Sequence, residues 1–490
     1  MASSMMFLQM QAYFTVGSIF FGATILTFMK IERAQPTPYM DEIFHVPQAQ
    51  RYCNGSFTEW DPMITTLPGL YLVSIGVLKQ VSWYYEADLI DFCSTTMLRL
   101  TNVMFAMLNL YLFYAVLKKL NPGQEVPGLK LSITAMTLAA FPVLYFFTFL
   151  YYTDAGSTFF VLFMYLLSLY GVHVGAALAG ACAIMFRQTN IIWVVFVAGV
   201  AAMEMVEQYK EEEEEEERLA KEEQGEDEEE EETETEEPQT PTIGGIIIDS
   251  VKDVFNFLTF FPNVLALAGK LLPYGLLAAA FMAFVYKNGG IVVGDRSSHE
   301  ACLNIPQLFY FFAFTAVFAF PFFIVPFNLL KFVVFQKRHA VFVVASAAVT
   351  INLVYFFTYV HPYLIADNRH YPFYVWRKII NKRMITRYAL VPLYIFGGWN
   401  IANQLSHKTV LWRLVFGACL ILATVPQKLL EFRYFIIPYL LFRLNMQLQD
   451  YPLIALEMLF YIVINYSTIS LFTDNPFTWP DNPDMQRFMW

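Results

Sequence analysis

KLSITAMTLAAFPVLYFFTFL, residues 130–150, carries a single charge and runs straight into the polar stretch Tyr151, Tyr152, Thr153 and Asp154. A helix of roughly 20 apolar residues crosses a hydrocarbon core of about 30 Å, so this stretch reads as a membrane span with a polar end. Comparable windows recur near 9–29, 97–117, 156–172, 189–206, 268–286, 304–326, 340–360, 387–402, 411–426 and 452–472, with shorter ones at 174–187 and 433–447. With 57% hydrophobic and 18% aromatic residues in 490, the apolar content exceeds what a soluble core needs. The fold class that follows is all-α, a polytopic membrane helix bundle of about 13 spans. The run at 64–82, interrupted by Pro68, Gly69 and Lys79, is short for a span and reads as an interfacial or re-entrant helix.

The net charge of −11 misleads, because residues 207–237 hold 20 Asp/Glu against Lys210, Arg218 and Lys221. Removing that local −17 from −11 leaves a body of +6. A mildly basic membrane body suits phosphorylated lipids, and nothing in it points to nucleic acid. The acidic block divides the chain into an N-terminal membrane module, 1–206, an acidic loop, 207–240, whose charged run at 210–237 is expected to be disordered or a frayed helix, and a C-terminal membrane module, 241–490. Lys118, Lys119 and Lys130, then Lys331, Lys337 and Arg338, then His407, Lys408 and Arg413 mark one side as cytosolic by the positive-inside rule. The first loop, within 30–96, then lies across the membrane, where Asn54-Gly55-Ser56 is a glycosylation sequon. Cys53 and Cys93 bracket this loop and are read either as a disulfide or as two free thiols. The chain lacks zinc-type spacing of Cys and His, and no metal or other cofactor is expected.

The first loop packs Asp41, Glu42, His45, Arg51, Glu59, Trp60 and Asp61 into an otherwise apolar protein. If the chain is helical from Asp41 to Val46, Asp41 and His45 share a face while Glu42 turns about 100° away. Moving a sugar from a lipid phosphate to a hydroxyl needs one carboxylate base, plus cations or hydrogen-bond donors for the leaving phosphate. The acidic pair is equally readable as ordinary loop charge, and a metal site from Asp41, Glu42 and His45 is a further alternative. Asp154 is expected to face the same side, whereas Arg187 reads as an end marker of its span. A loop at 361–386, beginning HPYLIADNRHYPFYVWRK, breaks the positive-inside rule. Its His361, Asp367, Arg369, His370, Arg377 and Lys378 are candidates to bind substrate, with the cations clamping phosphate; the bland reading is an interfacial aromatic belt. Many spans with polar groups also suit a transporter or a membrane regulator, but the two halves show no self-similarity.

PYMDEIFHVPQAQRYCNG with WDPMITTLPGLY, and HPYLIADNRHYPFYVWRK, resemble the endoplasmic-reticulum dolichyl-phosphate-glucose α-1,2-glucosyltransferases. FRQTNIIW at 186–193, RYFIIPYLLFRL at 433–444 and QRFMW at 486–490 are similar as well. The resemblance implies a C-type glycosyltransferase fold and an acidic catalytic residue in the first luminal loop. It also implies a dolichyl phosphate glucose donor, a dolichol-diphosphate-linked oligosaccharide acceptor and inversion at the anomeric carbon. By position, Asp41 is the first choice for the base and Glu42 the second, with Arg369, His370, Arg377 and Lys378 toward the donor phosphate.

Overall fold

The computed structural model describes residues 2–122, 126–223, 243–296, 301–480 and 482–490. Apart from a short antiparallel hairpin, β1 (Phe477–Trp479) and β2 (Asn482–Gln486), the described elements are helical. Among the described residues, six helices are long and apolar enough to cross a membrane, and five shorter apolar helices pack among them. The protein is thus an all-α, multi-pass membrane protein. Its long helices leave large apolar side chains outward, such as Phe14, Leu26, Val341 and Tyr466, at 61–84% exposure. Lipid, not water, is the solvent those faces require.

The helices that position the site are α1 (Ala2–Ala34), α2 (Glu42–Cys53), α3 (Gly69–Tyr85), α4 (Thr95–Leu120), α5 (Gly128–Ala139), α6 (Pro142–Phe147), α7 (Asp154–Leu169), α8 (His173–Phe186) and α9 (Ile191–Glu223). Residues 130–150, expected as one span, are broken between α5 and α6. Pro142 lacks an N–H and excludes helical geometry at Phe141, whose φ and ψ are −54° and 122°. The break strands the Ala140 carbonyl, and Asn465 Nδ2 satisfies it at 2.8 Å. The chain therefore reaches Tyr151–Asp154 on a bent path, buried on all sides. Helix α7 packs against α4 and α8. A Cβ on Gly156 would collide with the Phe186 ring, so only glycine permits that approach of α7 to α8.

The first loop has its own apolar core. Val46, Ala49 and Tyr52 of α2 meet Leu70, Tyr71 and Ile75 of α3, Leu98 and Phe105 of α4, and Tyr151. Cys53 and Cys93 are disulfide-bonded, tying the end of α2 to the approach to α4. The run expected at 64–82 folds as α3 and leaves Trp83, Tyr84 and Tyr85 65–79% exposed. Of the two states expected for the acidic block, its described part takes the helical one, since α9 continues to Glu223. Glu, Lys, Ala and Leu favour helix, Arg218 lies one turn from Glu222, and Lys210 pairs with Asp253 at 2.9 Å. The remainder of that block falls outside the described residues.

Candidate active site around Asp41

Asp41 occupies the N-cap position of α2, and the residue before it, Met40, has a positive φ of 54°. A left-handed non-glycine residue costs about 1–2 kcal/mol, so its neighbours must hold it. They do so through Glu42. This carboxylate is fully buried and accepts four hydrogen bonds: from Arg99 Nε and Nη2 at 2.8 and 2.6 Å, from the Tyr39 amide at 3.0 Å and from the Tyr151 amide at 2.6 Å. Arg99 in turn donates to Glu32 at 2.9 Å and to the Gln35 and Thr37 carbonyls at 2.6 and 3.1 Å. With every lone-pair direction occupied, Glu42 has no room for a substrate proton.

Asp41 is placed differently. Its amide donates to the Tyr152 hydroxyl at 3.1 Å, while its side chain stays 45% exposed. Behind it lies a buried charge cluster. Arg433 Nη2 approaches Asp41 Oδ2 at 3.5 Å and Nη1 approaches Asp154 Oδ2 at 3.8 Å, while Nε donates to Glu431 at 2.8 Å. The guanidinium lies over the rings of Phe147 and Tyr152, 5.0 and 5.1 Å from their centres. Arg187 pairs with Asp154 Oδ1 at 3.1 Å and donates to Thr153 at 3.1 Å. Burial alone would push Glu431 up, but the neighbouring Arg433 holds its carboxyl below the usual range. His45, one turn along α2, bonds Tyr71 through Nδ1 at 2.5 Å, and burial pushes its imidazole down to about 4. It is therefore neutral near pH 7. Asp41 and Glu42 face apart, and among the described residues no three Asp, Glu, His or Cys side chains converge as a ligand set.

A model of the DIE2/ALG10 family matches residues 35–444, a span that includes Asp41, Glu42, Arg99, Asp154, Arg187 and Arg433. This chain belongs to the DIE2/ALG10 family. A human relative named Dol-P-Glc:Glc(2)Man(9)GlcNAc(2)-PP-Dol alpha-1,2-glucosyltransferase is 46% identical, covering 96% of this chain and 97% of its own. Relatives of the same name from Arabidopsis thaliana and Drosophila melanogaster are 36% and 32% identical over 93% and 92% of this chain, and 95% and 93% of theirs. No solved structure matches.

In this DIE2/ALG10 protein the candidates from 361–378 serve other contacts. Arg369 forms a two-pronged pair with Asp367, donates to Gln486 at 2.9 Å and lies over Trp479. Burial pushes the Asp367 carboxyl up, and the Arg369 bonds bring it below its ordinary value. His370 bonds the Trp490 carbonyl at 2.8 Å, and His361 accepts from the Tyr363 amide at 3.1 Å. Arg377 and Lys378 are exposed and lie over the rings of Phe373 and Tyr374. Asn54 is exposed at the end of α2, open to modification. Of the residues expected at the site, the structure brings together Asp41, His45 and Asp154. Sequence reading missed Arg433, Glu431, Arg99 and Tyr152, and took Arg187 for an end marker. The available signal was two arginines, 433 and 443, inside one short apolar window.

Proposed function

We propose that this protein moves one glucose from dolichyl phosphate glucose to the diglucosylated dolichol-linked oligosaccharide, forming the terminal α-1,2 linkage with inversion. The reaction named for relatives that match nearly end to end supports this reading, and one observation carries the assignment of the base. Asp41 is the half-exposed carboxylate of an otherwise buried cluster, whereas its neighbour Glu42 is saturated. Asp41 takes the proton of the attacking acceptor hydroxyl in a single displacement.

We place the site on the luminal side of the endoplasmic reticulum membrane, a reading supported by an exposed sequon at Asn54 and a disulfide in the same loop. The six long and five shorter apolar helices, with the windows at 387–402 and 433–447, make about 13 crossings, arranged as modules 1–206 and 241–490 on either side of the acidic segment. No metal takes part in the reading, so excess EDTA should leave the rate within twofold. The deciding experiment supplies purified protein in liposomes with donor and diglucosylated acceptor and looks for one added hexose by mass spectrometry. Asp41→Asn should abolish it; activity within a few-fold of wild type would refute the assignment.

A further inference from the structure

The cation nearest the base is not free to do nothing. Arg433 is held on one edge by Glu431, through both Nε and Nη2. Toward Asp41 and Asp154 its contacts lengthen to 3.5 and 3.8 Å. Asp154 Oδ2 is buried yet lacks a hydrogen-bond partner, so this side of the cluster is under-satisfied. The arginine is thus anchored at one edge and loosely engaged at the other, and the loose edge faces the one carboxylate that is open.

The charges facing this point are Asp41, Asp154 and Glu431 against Arg187 and Arg433, with neutral His45 beside them. The proposed transfer moves charge across the same point. The acceptor O–H proton goes to Asp41, the acceptor oxygen bonds to the anomeric carbon, and the bond from that carbon to the phosphate oxygen breaks, its electron pair leaving with the phosphate. Asp41 goes from −1 to 0, while the lipid phosphate goes from a monoanionic diester to a dianionic monoester. A cation between the two sees unit charge leave one neighbour and arrive at the other. Such a fixed group stabilises the transition state without reorganising.

Resting on the proposed transfer reaction, we infer that Arg433 is exchanged between the base and the donor. The outer edge of Arg433 holds Asp41; an arriving donor phosphate takes over that edge, supported by Arg187, and leaves the carboxylate unpaired to accept the proton. Asp41 and the donor phosphate therefore compete for one guanidinium. Arg433 is a catalytic residue by this account, and donor binding itself prepares the base.

The test measures donor affinity and transfer separately. Binding of dolichyl phosphate glucose to full-length protein in nanodiscs is titrated for wild type, Asp41→Asn, Arg433→Gln, Arg433→Lys and the Asp41→Asn/Arg433→Gln double variant. Asp41→Asn should bind donor roughly tenfold more tightly, the scale of a typical coupling between two ligands of one group. That gain should vanish in the double variant, since the cycle isolates the term routed through Arg433. Arg433→Lys, which keeps the charge but not the fork, should lower kcat by at least roughly a hundredfold. Donor affinity in Asp41→Asn within twofold of wild type, or a gain that persists without Arg433, would overturn the exchange. If Arg433→Gln does not fold, the Asp41→Asn titration and the Arg433→Lys kcat still decide. Transfer surviving in Asp41→Asn would instead remove the base assignment, while the binding cycle would report on the exchange regardless.

Discussion

Asp41 and Glu42 are chemically near-identical neighbours with opposite fates, because a step of about 100° on a helix turns one toward the open site and the other into the protein. Glu42→Gln should therefore act on stability: it breaks a buried two-pronged pair with Arg99, a loss of about 3–5 kcal/mol. Thermal denaturation in detergent should show a large drop for Glu42→Gln and almost none for Asp41→Asn. Equal melting temperatures in the two variants would contradict this division. His45 sets a pH dependence of stability. Its imidazole titrates near 6.5 when unfolded and is pushed down to about 4 by burial in the fold, so the unfolded chain binds the extra proton first on acidification. The stability contributed by neutral His45 is complete above about pH 6.5 and is lost as pH falls toward 4. His45→Gln should flatten the melting curve's pH dependence across that window. Asp367 and Glu431, whose carboxyls lie below their ordinary values, add their losses lower still.

At the scale of elements, the terminal segment after β2 joins parts of the site that are far apart in the chain. Arg487 exchanges backbone hydrogen bonds with the Tyr39 hydroxyl at 2.7 and 2.8 Å, and its guanidinium donates to Gln35 at 2.9 Å and to the Phe472 and Thr473 carbonyls at 2.7 and 3.1 Å. Two residues on, Met489 pairs with Arg369 and Tyr371 at 2.9 Å each, and the Trp490 ring packs on Phe432, next to Arg433. Two of the groups expected at the phosphate, Arg369 and His370, thus hold the strap that holds the Asp41 loop. Arg487→Ala leaves buried acceptors unpaired at about 1–3 kcal/mol each. Faster amide exchange at residues 39–42 should follow, by at least tenfold, with a fall in kcat; unchanged exchange there would mean the strap does not position the loop. Helix α9 shows how far propensity could be read: the run Glu211–Glu217 looks unfavourable as a charge block, yet a helix already nucleated in the membrane is extended by residues that favour helix.

For the whole molecule, the charge of the acidic segment reverses the sign of the chain, and its described part, to Glu223, extends α9 and pairs with Asp253. Replacing residues 211–237 with a Gly/Ser linker of equal length should leave transfer within twofold, measured in liposomes, and a tenfold loss would assign that segment a role in catalysis. The sequence by itself determined the membrane class and the helical architecture, and it singled out the first loop as the candidate place of chemistry. These depend on hydropathy and local composition, which need no knowledge of distant partners. It also brought Asp41 and Asp154 into view, since a carboxylate at the end of an apolar run has few structural reasons to be there. Which carboxylate of the pair is open and which is buried, which cation faces the open one and where 130–150 breaks were decided by tertiary structure alone. Arg433 meets Asp41 across 392 residues, and Glu42 meets Arg99 across 57. Pairing over such separations is set by how helices pack, and packing leaves no periodic trace along the chain.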